Sequence, residues 1–196
     1  MEQTRRRFLT ASAVVGTGAL AGCGAVQDAI PFVGGGGLGN YQQWVYEPDR
    51  FDADSDTLEF TATNQTAIHD NRKEFYPTAY SSLDGSYSGI GVDSRNVSMD
   101  LELSGNRVIT GSFSASQVTA ELEDDSSREY TNDGSYNGYE IYVRDDGDLS
   151  GDAYGVSDGT VVYGRRVQNF GADADSVAAP DVVEGIIDTG TGDGTR

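Results

Sequence analysis

Polar and apolar residues alternate along several short stretches of the chain, with the period of two that is typical of half-buried β-strands. This pattern predicts strands at residues 57–62, 97–103, 107–113, 139–143, 153–157 and 160–164. Ser104-Gly105-Asn106 separates the second of these strands from the third, and such a turn predicts a β-hairpin. Strands that follow one another in hairpins favour an antiparallel sheet.

Helical periodicity is confined to two stretches. Residues 116–124 follow Ser114 and Ser116, and either serine is a suitable N-cap. Near the C-terminus, four apolar residues share one helical face after Pro180, a residue that favours the first turn of a helix: Val182, Val183, Ile186 and Ile187. Residues 67–82 are only weakly helical, because Pro77 limits the length of any helix there.

These elements predict an α+β fold in which an antiparallel sheet carries its helices on one face. Val108-Ile109-Thr110-Gly111 is similar to Val161-Val162-Tyr163-Gly164, and each precedes a predicted helix. The similarity suggests two strand–strand–helix units. An all-β sandwich is the alternative, because Thr, Tyr, Val and Gly dominate the strands and turn residues are frequent.

The N-terminus has the parts of an export signal. Thr4-Arg5-Arg6-Arg7-Phe8-Leu9 forms a basic head, and an uncharged stretch separates it from Leu20-Ala21-Gly22-Cys23. A membrane-spanning helix needs about 20 apolar residues, so this stretch is too short and too rich in Gly and Ala to be one. Cys23 is the single cysteine, which excludes an intramolecular disulfide and favours a role in attachment.

The first 23 residues resemble the N-termini of lipoproteins that haloarchaea export by the twin-arginine route. The resemblance implies that Arg5 and Arg6 direct export, that residues 1–22 are removed, and that Cys23 carries a lipid. The lipid would hold the protein at the outer face of the cell membrane. No characterised family is recognised in the remainder of the chain, which we predict to be a single acidic extracellular domain at residues 41–196.

Residues 23–40 connect the predicted lipid to this domain. Their sequence Gly34-Gly35-Gly36-Gly37-Leu38-Gly39 formally matches the dinucleotide-binding pattern G-x-G-x-x-G. That site requires a strand before the glycines and a helix after them, and the sequence predicts neither. We therefore interpret the glycines as a flexible tether and expect no cofactor.

The charge of the chain limits its partners. The 32 acidic and 13 basic residues give a net charge of −19, and removal of residues 1–22 would leave 31 acidic and 10 basic residues, or −21. Nucleic acid and anionic membrane surfaces are poor partners for such a chain. The acids are spread evenly and Lys73 is the single lysine, a composition that indicates adaptation to concentrated salt, where charge repulsion is screened.

Asp146, Asp148 and Asp152 resemble the first half of a calcium-binding loop. The loop requires a glutamate at its twelfth position, and Ser157 stands there instead. An acidic turn of a salt-adapted protein explains the same residues, so we predict no metal site and keep calcium as the weaker alternative.

The chain also lacks the residues of several common catalytic sites. His69 is the single histidine, so zinc and blue-copper sites are excluded and a Ser–His–Asp triad would have to use it. Gly85-Ser86-Tyr87-Ser88-Gly89 resembles a nucleophile elbow, but a tyrosine stands at the position of the serine. We expect a non-enzymatic protein.

A group of aromatic and amide residues in the second half is suited to polar or glycan contacts: Tyr130, Tyr136, Tyr139, Tyr142, Asn132 and Asn137. Asn64 and Asn96 lie in glycosylation sequons. The sequence therefore predicts a lipid-anchored protein that binds or scaffolds an envelope protein or glycan. The alternatives are a ligand-binding lipoprotein associated with a transporter and a hydrolase that uses carboxylates.

Overall fold

The computed structural model describes residues 15–21, 41–51, 57–83, 87–125, 128–144, 151–167 and 176–192, and for residues 15–21 and 81–83 it describes the backbone alone. The strands in these ranges are β1 (Val15–Ala21), β2 (Thr57–Asn64), β3 (Val97–Leu103), β4 (Asn106–Gly111), β5 (Tyr130–Tyr136), β6 (Tyr139–Arg144), β7 (Asp152–Ser157) and β8 (Thr160–Arg165). The α-helices are α1 (Gln65–Asp70), α2 (Pro77–Leu83), α3 (Ala115–Asp124) and α4 (Ala179–Thr191). In the described ranges, no helix combines the length and the apolar character needed to span a membrane.

All these strands form one antiparallel sheet in the order β1-β2-β3-β4-β8-β7-β6-β5. The first four strands are neighbours in sequence order. The chain then passes through α3 to the opposite edge of the sheet, and β5 to β8 lead back to the centre. There β8 pairs with β4, and Val162 lies opposite Val108.

Both faces of the sheet are covered. On the first face, α4 and the segment 41–46 bury an apolar cluster that includes Val183 and Ile187. On the second face, α3 and the segment 87–97 bury another cluster, which includes Val118 and Leu122. The predicted α+β class with an antiparallel sheet is confirmed, but the helices do not share one face.

Pairs of consecutive buried residues in the central strands explain why both faces need a cover. Each of three such pairs contributes one side chain to each face: Val108-Ile109, Ile141-Tyr142 and Val161-Val162. Successive strand residues point to opposite faces, so two apolar neighbours indicate a strand that is buried on both sides. The predicted strand–strand–helix units occur in sequence as β3–β4–α3 and β7–β8–α4. They are not equivalent, because their helices cover opposite faces.

The predicted element boundaries agree closely with the structure. Ser114 caps α3, and its hydroxyl accepts a hydrogen bond from the Gln117 N–H over 3.2 Å. Pro77 begins α2 and does not interrupt a longer helix. β5 was not predicted, because its residues do not alternate between apolar and polar. The Asn137-Gly138 turn that joins it to β6 has positive φ at both residues, as a two-residue hairpin requires.

Helix α4 approaches the sheet closely because two glycines lie beneath it. A Cβ atom on either Gly155 or Gly164 would lie 2.8 Å from a methyl group of Val183.

The buried Asn106 side chain forms two hydrogen bonds at the first-face core. Its amide nitrogen donates to the Tyr46 hydroxyl over 3.0 Å, and its Oδ1 accepts from the Arg165 N–H over 3.0 Å.

The first strand consists of residues that we predict to belong to a removable export signal. β1 pairs with β2 along its whole length. Arg5, Arg6, Cys23 and the glycines of the predicted tether lie outside the described residues, so the predictions for them remain predictions.

Candidate functional site

The second face of the sheet, which α3 covers in part, carries a row of aromatic and charged side chains. Arg107, Tyr163, Tyr154 and Tyr142 lie on the adjacent strands β4, β8, β7 and β6, and each is the cross-strand partner of the next. Side chains at paired positions of antiparallel strands are neighbours on one face. We call these four residues the tyrosine–arginine row.

An ion pair fixes the arginine end of the row. Arg107 Nε donates to Asp100 Oδ1 over 2.7 Å, and a terminal guanidinium nitrogen donates to Asp100 Oδ2. The Tyr87 hydroxyl donates to the same Oδ2 over 2.9 Å, and the Arg107 guanidinium lies 5.1 Å from the centre of the Tyr87 ring. Hydrogen bonding to Asp100 raises the pKa of Arg107 above its usual value. Bidentate pairing orients the guanidinium and neutralises its charge.

The middle of the row is a group of contacting tyrosine rings. The ring centres of Tyr154 and Tyr163 lie 5.0 Å apart, and Tyr130 from β5 meets Tyr154 edge-on at 5.2 Å. Tyr154 and Tyr163 are half-buried and therefore offer part of their rings to solvent. Burial raises the pKa of Tyr163 to about 12 and also raises the pKa of Tyr154. Both hydroxyls therefore stay protonated at neutral pH.

A second group of charged side chains lies beside the tyrosines on the same face, two residues away on each strand. Asp152 lies between two arginines, 3.2 Å from Arg144 and 3.9 Å from Arg165. The Arg165 side chain is 65% exposed. Of the residues predicted as the weaker calcium alternative, Asp146 and Asp148 lie outside the described residues, and Asp152 belongs to a strand where cations already neutralise its carboxylate.

The predicted tyrosine group is divided between the two faces. Tyr130 and Tyr142 belong to the second-face cluster, and the Tyr142 hydroxyl donates to Glu123 of α3 over 2.9 Å. Tyr139 is buried in the first-face core, and Tyr136 packs against that core and donates to Asp188 of α4 over 2.8 Å.

The two amides of that group have structural partners. Asn137 donates to Asp188 over 3.1 Å, and the Asn132 Oδ1 accepts from the Gly134 N–H over 2.9 Å. Asn132 also lies opposite Tyr142 in the β5–β6 pair and hydrogen-bonds with its hydroxyl, so this amide adjoins the end of the row.

Sequence reasoning missed most of the row. Arg107, Tyr154 and Tyr163 were assigned to strands but not to a site. The signal that could have found them is a polar alternation inside strands that are otherwise apolar: Asp152-x-Tyr154 in β7 and Tyr163-x-Arg165 in β8. Because side chains two positions apart share a face, Asp152 lies on the same face as Tyr154, and Arg165 on the same face as Tyr163.

The remaining sequence candidates have structural partners. His69 Nδ1 lies 2.7 Å from the Tyr80 hydroxyl, a contact between α1 and α2. Tyr87, from the segment that resembles a nucleophile elbow, faces Asp100. Asn64 caps α1 by accepting from the Ala67 N–H over 2.8 Å, whereas the sequon residue Asn96 is exposed.

Three acids on α4 form a separate carboxylate group. Burial raises the pKa of Glu184, and Asp181 and Asp188 raise it further by repulsion. Asp188 is held by Tyr136 and Asn137 and lies 3.9 Å from Arg50. No group of three or more His, Cys, Asp or Glu residues in the described ranges could hold a metal ion.

Comparison of the chain with known protein families, with curated proteins and with solved structures finds no match. The tyrosine–arginine row offers the partly exposed rings of Tyr154 and Tyr163, their protonated hydroxyls, and an arginine whose charge Asp100 balances. Such a surface suits a neutral ligand that has both polar groups and apolar faces.

Proposed function

We propose that the protein is an exported, lipid-anchored component of the cell envelope, and that its domain binds a neutral glycan on the tyrosine–arginine row. The protein is not an enzyme in this proposal. The tyrosine–arginine row is the observation on which the proposed binding function rests.

The anchoring part of the proposal is supported by the N-terminal sequence. A twin-arginine pair and a cysteine after Leu-Ala-Gly stand at the spacing expected of an exported lipoprotein. One lipid chain binds a membrane only reversibly, so stable anchoring requires two chains on Cys23. The tether of residues 23–40 would then separate the domain from the membrane surface.

The binding part is supported by the chemistry of the row. Tyrosine rings present large, rigid apolar surfaces with a polar tip, which suits the alternating C–H faces and hydroxyls of a sugar ring. Three of the arginines of this acidic protein lie here, on or beside the row: Arg107, Arg144 and Arg165. Because Asp100 and Asp152 balance much of their charge, a neutral glycan fits better than a phosphate or a nucleic acid.

The experiment compares variants of the domain for retention on native cell envelopes in molar KCl. The chain begins at residue 23 and carries Cys23→Ser, so that no lipid contributes to retention. Tyr163→Ala removes the partly exposed ring next to Arg107 and is expected to weaken retention by about three- to tenfold, the usual value of one aromatic contact.

Tyr76→Ala is the matched control, because Tyr76 is 80% exposed and lies far from the row in sequence, between α1 and α2. Its removal should leave retention unchanged. Competition by soluble envelope glycans identifies the ligand class. Equal retention of the two variants, or retention that glycans do not reduce, would contradict the proposal.

A further inference from the structure

The edge of the sheet at β2 changes when the export signal is removed. In the full chain, β1 pairs with β2 along seven residue pairs, from Val15 opposite Thr63 to Ala21 opposite Thr57. Cleavage before Cys23, which is part of the proposed function, removes β1. β2 then becomes an edge strand of the mature domain.

This new edge has neither a bulge nor a proline, two common protections of edge strands. β2 is eight residues long, contains no proline, and pairs with β3 without a register shift. The other edge, β5, is interrupted by a register shift between Asn132 and Gly134. Bulges and prolines prevent edge strands from pairing with further chains, so β5 is protected and β2 is open.

The contacts of Glu59 indicate which backbone N–H and C=O groups of β2 become free when β1 is removed. Its carbonyl accepts from the Ser104 N–H over 2.8 Å, and its N–H donates to the Ser104 hydroxyl over 3.2 Å. Glu59 therefore faces β3. Backbone groups alternate in direction along a strand, so those of Leu58, Phe60 and Ala62 face the position of β1.

A second copy of β2 is self-complementary to this edge. In an antiparallel pair centred on Phe60, the backbone N–H and C=O groups of Leu58 would hydrogen-bond with those of Ala62 in the other copy. Glu59 would lie opposite Thr61, so no two acids would be directly opposed. The same twofold arrangement is the commonest symmetry of protein dimers. At molar salt the Debye length is about 3 Å, so the negative charges of the two copies repel only at contact.

We infer that the mature protein forms a symmetric dimer through β2, and that β1 occupies this edge until the signal is removed. The dimer would join two seven-stranded sheets into one continuous sheet. Each domain would keep its tyrosine–arginine row on the same face, so the dimer would bind a repeating glycan with two sites.

The first measurement is the molar mass in molar KCl by light scattering after gel filtration. The chain that begins at residue 23, with Cys23→Ser to exclude a disulfide, is expected to be a dimer. The full chain with the same substitution is expected to be a monomer, because β1 covers the edge. A monomeric mature chain, or a full chain that dimerises equally well, would overturn the inference.

Substitutions at Thr61 test the register. Thr61→Glu places two acids opposite one another twice in the dimer, and Thr61→Arg replaces both contacts by attractive pairs. We expect the dissociation constant to rise about fivefold for the first and to fall about fivefold for the second. Misfolding cannot strengthen a dimer, so the arginine variant keeps the test decisive.

Thr131→Glu, on the protected edge strand β5, is the matched control and should leave the dissociation constant unchanged. Equal effects of Thr61→Glu and Thr61→Arg would exclude this edge. The experiment uses chains with defined ends, so its failure is separate from a failure of signal cleavage in the cell.

Discussion

Tyr163 shows how the environment of one residue determines both its chemistry and a measurable property of the fold. It lies between Arg107 and Tyr154 in the cross-strand row and near Asp152. Burial, followed by the negative charge of Asp152, stabilises the protonated hydroxyl in the folded protein. The hydroxyl therefore keeps its proton, which it already donates to Asp152, and the residue is not a candidate nucleophile.

The raised pKa of Tyr163 predicts a loss of stability in alkali. The unfolded chain releases this proton near pH 10, whereas the folded protein holds it to about pH 12. The free energy of unfolding must then fall as the pH rises from 10 towards 12, because the folded state binds more protons. Tyr163→Phe should make this decline shallower in denaturant titrations while changing stability little at pH 7. An unchanged slope would contradict the assignment.

At the residue scale, the sequence predicted the types of side chain better than their positions. It indicated tyrosines as the polar contact residues, and Tyr130 and Tyr142 do reach the second face. Tyr136 and Tyr139 reach the first face instead, because the Asn137-Gly138 turn and the β5–β6 register determine their direction. That register was not predictable from β5, which has no apolar alternation.

Among the elements, α4 depends on small residues beneath it. A Cβ atom on Gly164 would lie 2.8 Å from Val183 Cγ2 and 3.2 Å from the Ala179 carbonyl oxygen. Neither atom belongs to a flexible side-chain end, so the helix would have to shift away from the sheet.

Gly164→Ala should therefore destabilise the domain by about 1–3 kcal/mol, the usual cost of overpacking a core. Thermal or chemical unfolding in molar KCl measures the change. Gly89→Ala is the matched control, since a Cβ atom there would meet no atom within 4 Å. If the two variants unfolded alike, the close approach of α4 would not be important for stability.

Elements with strong local patterns were predictable, and their arrangement was not. The alternation of β3, the N-cap of α3 and Pro180 in α4 are local features, and the structure confirms all three elements. The sheet order places β8 beside β4, a contact between residues about 50 positions apart in sequence. That both faces need a cover follows from the consecutive apolar pairs in the central strands. Such short runs do not reveal by periodicity alone whether they are strands or helices.

For the molecule as a whole, the net charge predicts a dependence on salt. The mature chain of 174 residues would carry 31 acidic and 10 basic residues, and their mutual repulsion destabilises the compact state in dilute buffer. Molar KCl screens this repulsion. The midpoint of thermal unfolding should therefore rise markedly between dilute buffer and molar KCl. Equal midpoints in the two conditions would show that the acidity is not an adaptation to salt.

The predicted processing at Cys23 connects the envelope location, the tethered binding domain and the open edge of β2. Intact-mass spectrometry of the protein extracted from its native membranes tests this step most directly. The account predicts a chain that begins at Cys23 and carries the additional mass of two lipid chains. A chain that retains residues 1–22, or one that begins at Cys23 without a lipid, would contradict it.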